Sequence, residues 1–244
     1  WDMALLAHVP GLRLAAPRDE ATLRDSLRQA MSVGDAPTVV RYPKGTLPEP
    51  LAVVRRLGLE DAEKSPYDAG VEGDASSGEA LGEVSAFDVV DVLLENREPA
   101  DAPQLLLVGV GAMAAHAHEA GRALEQEDRA VTVVHPHWVI PPPGPLVAAA
   151  AQADVVIVVE DGLVDGGIGS QLRDAVEDYW AGRSDAAGPR VWRRIGIPRQ
   201  FIDTATRDQL LEDFGMRAPD IAEAARAAAD GAARAPGVRG LGAE

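Results

Sequence analysis

Apolar positions along this chain recur at two spacings, and each change of spacing marks a new element. The run "LRLA" at 12–15 reads as a short strand that stops at Pro17. In "RDEATLRDSLRQAMSVG" the apolar residues Leu23, Leu27 and Met31 recur every fourth position, which predicts one face of a helix. Asp19 stands at its N-cap, Glu20 in its first turn and Gly34 at its C-cap. "PTVVRYPKG" is a second strand ended by proline. Strand, helix and strand over 12–42 predict a βαβ unit, read as the last of an α/β domain whose beginning lies upstream of Trp1. Residues 1–10, with Leu5, Leu6 and Val9 on one side, predict a helix before it.

From 47 to 103 the pattern weakens. "SPYDAGVEGDASSGEALG" is acidic and poor in apolar residues, so 47–103 reads as a linker with a mobile acidic insertion, only 87–94 being apolar enough to pack. Regular alternation resumes at 104. Strands at 104–109, 130–135, 154–160 and 190–195 alternate with helices at 112–126, 169–181 and 218–230. "PHWVIPPPGPLVAAAAQA" makes a proline-broken crossing into a short helix, and Thr206 caps another that Gly215 ends. Strands alternating with helices over 104–230 predict an α/β fold, a mostly parallel sheet covered by helices on both faces. The small, polar residues 231–244 predict a disordered tail.

Composition narrows the function. The formal charge is −16 with no compact Lys/Arg stripe, which argues against nucleic acid as a partner. No apolar run approaches the roughly 20 residues that span a bilayer. Cysteine is absent, which removes thiolate metal sites and fits a cytoplasmic location.

Two glycine-rich turns are candidates for phosphate. "GVGAMA", Gly109–Ala114, fits the dinucleotide fingerprint between strand and helix, but the next strand ends in His135-Pro136 where that fingerprint needs an acid. "VVEDGLVDGGIGSQL" at 158–172 ends a strand in Gly166, Gly167 and Gly169, with no Lys-Ser/Thr pair to make a P-loop. Tight packing explains the first and a tight turn the second. The histidines His116, His118, His135 and His137 do not fall at metal-ligand spacing. Arg41 and Lys44 in "VVRYPKG" lie at the carboxyl end of a strand, where α/β sheets bind ligands, and two cations there suit a phosphate.

These pieces, in order, resemble one family. "WDMALLAHVPGLRLAAPRDEATLRDSLRQAM…APTVVRYPKG" is similar to the closing part of the pyrimidine-binding domain of 1-deoxy-D-xylulose-5-phosphate synthases (1–46). "LLLVGVGAM", "VTVVHPHWVIPPP", "VVIVVEDGLVDGGIGSQL" and "IGIPRQFIDTATRDQLLEDFGM" resemble the family's transketolase-type C-terminal domain (104–230). The resemblance implies a homodimeric enzyme using thiamine diphosphate and Mg2+ to join pyruvate to glyceraldehyde 3-phosphate with loss of CO2. By position in the motif it implies that Lys44 anchors the substrate phosphate, with Arg41 in a supporting role. The family's Gly-Asp-Gly diphosphate motif is missing, and its catalytic glutamate and histidine would lie upstream of Trp1. The expectation is therefore a C-terminal portion that binds no cofactor by itself. A transketolase or 2-oxoacid dehydrogenase β-type chain, and a non-catalytic dinucleotide-binding or interaction module, remain as alternatives.

Overall fold

A computed structural model describes residues 1–46, 48–58, 86–181 and 188–234. The acidic stretch expected to be mobile and residues 235–244 of the expected tail lie outside them, whereas 231–234, expected in that tail, are helical. The first unit opens with α1 (Asp2–Leu6), β1 (Arg13–Ala15), α2 (Glu20–Ser32) and β2 (Thr38–Val40). β1 and β2 pair in parallel, Leu14 opposite Val39, as a βαβ unit requires. Asp19 caps α2 through a closed capping box. Its carboxylate accepts from the Thr22 amide at 2.9 Å, while the Thr22 hydroxyl receives the Arg18 and Asp19 amides.

Helix α2 forms where the periodicity placed it, but with a different side buried. Thr22 and Ser26 face inward, while Leu27 and Met31 are 47% and 87% exposed. Spacing reveals that a helix has an apolar side, not what lies against it. The helix also ends at Ser32 with an extended Val33 at its C-cap, in place of Gly34. In α1 the buried residue is Met3, whereas Leu5 and Val9 are exposed.

The larger sheet has six strands. β3 (Arg55–Leu57) and β4 (Val90–Asn96) are followed by β5 (Leu105–Gly109), β6 (Val131–Pro136), β8 (Val155–Leu163) and β9 (Val191–Ile197), in the order β3-β4-β6-β5-β8-β9. β6, β5, β8 and β9 are parallel, and β4 and β3 extend that sheet antiparallel. The span read as a linker thus contributes two strands, and β4 is buried along most of its length. Successive residues of β5 point to opposite cores. Leu106 and Val108 meet α4 (Gly144–Gln152) and α5 (Ile168–Trp180), while Leu105 and Leu107 meet α3 (Met113–Glu125) and α7 (Ala218–Arg234). Helices cover both faces, as expected.

β7 (Trp138–Ile140) was not foreseen. Directly after β6 the chain leaves the six-stranded sheet and pairs antiparallel with β1, giving a second sheet, β2-β1-β7. Trp138 is buried there, packs edge-on against Phe87 with ring centroids 4.9 Å apart, and donates its indole N–H to Gln29 of α2 at 2.6 Å. A continuous stretch of backbone therefore joins the two sheets. Replacing Asp19 with Ala opens the capping box of α2 and removes its buried ion pair with Arg18 at 3.0 Å, and should cost about 3 kcal/mol or more, read as a lower urea midpoint at unchanged slope.

Candidate functional site

The glycine turn after β8 is occupied, and the chain itself supplies the occupant, an acidic side chain. Glu160 is fully buried within β8. Its Oε2 accepts from the Ile168 amide at 2.8 Å and its Oε1 from the Gly169 amide at 2.9 Å, which answers two of the N–H groups at the start of α5. Glycine is required here by space. A Cβ on Gly167 would stand 2.5 and 2.7 Å from the Glu160 oxygens. Burial pushes the Glu160 carboxyl up to about 7, although the two amides and the charges of Arg194 and Arg41 pull the other way. A ligand phosphate at this helix start would have to displace a buried side chain.

The second glycine motif is closed from the other unit. Gly111 turns with φ +58° between β5 and α3, and its open side faces Ala16 and Pro17 at 3.5–3.7 Å. A Cβ on Gly109 would lie 2.5 Å from the Ala114 Cα, so that glycine serves close packing of helix on strand. Beside this turn, Asp91 of β4 has no exposed surface and collects three donors. Arg18 donates to its Oδ2, Arg56 reaches Oδ1 at 2.8 Å, and His137 Nε2 lies 2.8 Å from Oδ2. Burial alone would raise the Asp91 carboxyl, but the His137 hydrogen bond and the charges of His137 and Arg18 outweigh it and hold it well below the usual carboxylate range. His135 Nδ1 lies 3.0 Å from the Gly109 carbonyl and must donate to it. Burial, then the charges of Arg18 and His137, push His135 down to about 3, so it stays neutral. A dinucleotide would need this mouth of the sheet, and residues 16–18 fill it.

The two cations of "VVRYPKG" part company. Arg41 donates from Nε to Asp2 at 2.8 Å and from its terminal nitrogens to the carboxylate and carbonyl of Asp161. Arg207, at the start of α6 (Arg207–Asp213), takes the other oxygen of Asp161. One carboxylate thus clamps the end of β2 to the start of α6. Lys44 lies four residues past β2, exposed, and pairs with no carboxylate among the described residues. It lines a cleft of about 390 Å³ with Gly45, Ala112, His116, Arg207 and Asp208. Sequence spacing singled out Lys44 but not its neighbours His116 and Arg207, because α3 and α6 meet residues 43–46 only in three dimensions. Among the described residues no group of three or more His, Asp or Glu could hold a metal ion, and no helix is long and apolar enough to cross a membrane. The turns suited to a phosphate do not fit the diphosphate of thiamine diphosphate, since Glu160 fills one and Ala16–Arg18 close the other.

Residues 96–221 match the transketolase C-terminal domain family. The chain belongs to that family. It is 39% identical over 222 residues to a 1-deoxy-D-xylulose-5-phosphate synthase of Corynebacterium glutamicum, covering 91% of this chain and 29% of the relative. It is 40% identical to another from Kocuria rhizophila, again over 91% of this chain and 29% of the relative. The chain therefore spans under a third of the length of these relatives. Among solved structures, a split-gene transketolase described as an inactive β4 tetramer superposes with a TM-score of 0.64 at 23% identity, over 94% of this chain and 60% of that one. That likeness shows the fold.

Glu160 makes stability depend on pH with a definite sign. Its carboxyl rises from an ordinary 4.5 to about 7 on folding, so the folded state keeps a proton that the unfolded state releases. Stability present below pH 4.5 is lost as pH climbs to about 7, by on the order of 3 kcal/mol. Glu160→Gln cannot ionise, so urea melts should show its stability relative to wild type rising across that window. His135 contributes the opposite slope below its ordinary 6.5 but is common to both proteins and drops out of the difference.

Proposed function

We propose that residues 1–244 are part of a thiamine-diphosphate-dependent 1-deoxy-D-xylulose-5-phosphate synthase, which joins pyruvate to glyceraldehyde 3-phosphate with loss of CO2. The observation that carries this reading is the 39% identity to such synthases across 91% of the chain, well beyond the 96–221 match to the C-terminal domain. Within that reaction, this chain's part is to grip the substrate phosphate and scaffold the site. Lys44 is the anchor, and its position supports the role. It stands past the carboxyl end of a parallel strand, exposed in a cleft, with its ammonium free of any carboxylate among the described residues. Arg41 supports it indirectly, by fixing the end of β2 to Asp161. The cofactor supplies the electron sink for decarboxylation when bound. The filled turns favour a cofactor and Mg2+ site built by residues outside this stretch, and a homodimer of the whole enzyme is part of the same proposal.

Grafting 1–244 in place of the matching third of the Corynebacterium glutamicum enzyme tests this. The folded chimera should form 1-deoxy-D-xylulose 5-phosphate. Lys44→Met in the chimera should raise KM for glyceraldehyde 3-phosphate by about tenfold or more, while pyruvate KM changes little. A folded chimera without product contradicts the activity, and an unchanged KM contradicts the anchor.

A further inference from the structure

The cleft at Lys44 holds a titratable group that neither the motif nor the family match assigns. His116 projects from α3 into the same cleft as Lys44, Arg207 and Asp208. The surrounding charges nearly cancel. Arg207 shares Asp161 with Arg41, and Arg41 also meets Asp2, so these four groups neutralise one another. Arg217, whose charge also reaches His116, is paired with Glu212 at 3.0 Å. Of the charged groups lining the cleft, Lys44 and Asp208 remain, one of each sign. Protonation of the His116 ring therefore adds one positive charge to the lining of the cleft, with Glu119 of α3 a further carboxylate nearby.

We propose that His116 is a pH-dependent partner of Lys44 in binding a phosphate ester, its protonated ring supplying an added positive charge and a second N–H donor to the anion. This rests on the phosphate-anchor reading of Lys44 and deepens it. The groups facing His116 come from every neighbouring element. Glu119 of α3 and Asp208 of α6 favour its protonated form; Arg207 of α6 and Arg217 ahead of α7 oppose it, and Lys44 is the other cation lining the cleft. Partial burial, then Arg207 and Arg217, hold the empty-cleft ring below the ordinary histidine value. A dianion between His116 and Lys44 reverses that balance, so binding takes up a proton.

Sulfate is the probe that separates protein from ligand titration, because it stays a dianion across the range while a phosphate monoester titrates near 6. With residues 1–244, sulfate affinity should be about tenfold higher at pH 5.5 than at pH 8. The His116 ring resonances should show a protonation midpoint that rises with added sulfate. His116→Gln should abolish the pH dependence and keep the weak affinity seen at pH 8; Lys44→Met should weaken binding at both. Asp208→Asn should strengthen binding at pH 8. If sulfate affinity depends on Lys44 but His116→Gln keeps the wild-type pH dependence, the role of His116 is overturned and the anchor stands. If Lys44→Met changes nothing, both fall together.

Discussion

A carboxylate sealed from water must be matched, and Asp91 is matched by groups drawn from distant parts of the chain. Arg18 comes from the turn after β1, Arg56 from β3 and His137 from the step between β6 and β7. Removing one partner of such a cluster leaves a buried charge uncompensated, which costs several kcal/mol. The network therefore binds the first unit to the edge of the six-stranded sheet more firmly than the short β1–β7 pairing could alone. Residues 16–18 are carried into the mouth of the larger sheet as a consequence, and the end of β2 is brought to where Asp161 and α6 can meet it.

This docking explains why neither phosphate-like turn is open to a nucleotide. One start of helix receives Glu160 from its own strand, and the other faces Ala16 and Pro17. Both turns keep the glycines their geometry demands, so glycine alone does not tell a ligand site from a filled one. The open cationic position lies instead where the two units meet, at Lys44, with α3 and α6 forming the far wall. Residues 96–221, the part that matches the transketolase C-terminal domain family, supply α3 and α6 to that wall.

Elements set by local signals were legible in the sequence. The strand–helix alternation from β5 to α7 follows apolar spacing, and the caps at Asp19 and Thr206 are short-range hydrogen bonds written in adjacent residues. What escaped depends on partners far along the chain. β3 is a strand because it pairs antiparallel with β4, and β4 because it also pairs with β6, each more than thirty residues apart, and β7 because β1 receives it. The same holds for exposure, as Leu27 and Met31 show. Glu160 carried a signal that could have been used: an acid at the end of the apolar run "VVIVV", just before glycines, must find donors nearby. His116 carried none, since its meaning arises only where α3 and α6 converge.

Native-state hydrogen exchange on Asp91→Asn tests most directly whether this buried carboxylate holds the two units together. Amides of β1, β2 and Gly111–Met113 should lose protection as a group, by about thirtyfold or more, while β5 and β8 keep theirs. Loss confined to β3 and β4, with the first unit as protected as in wild type, would contradict it.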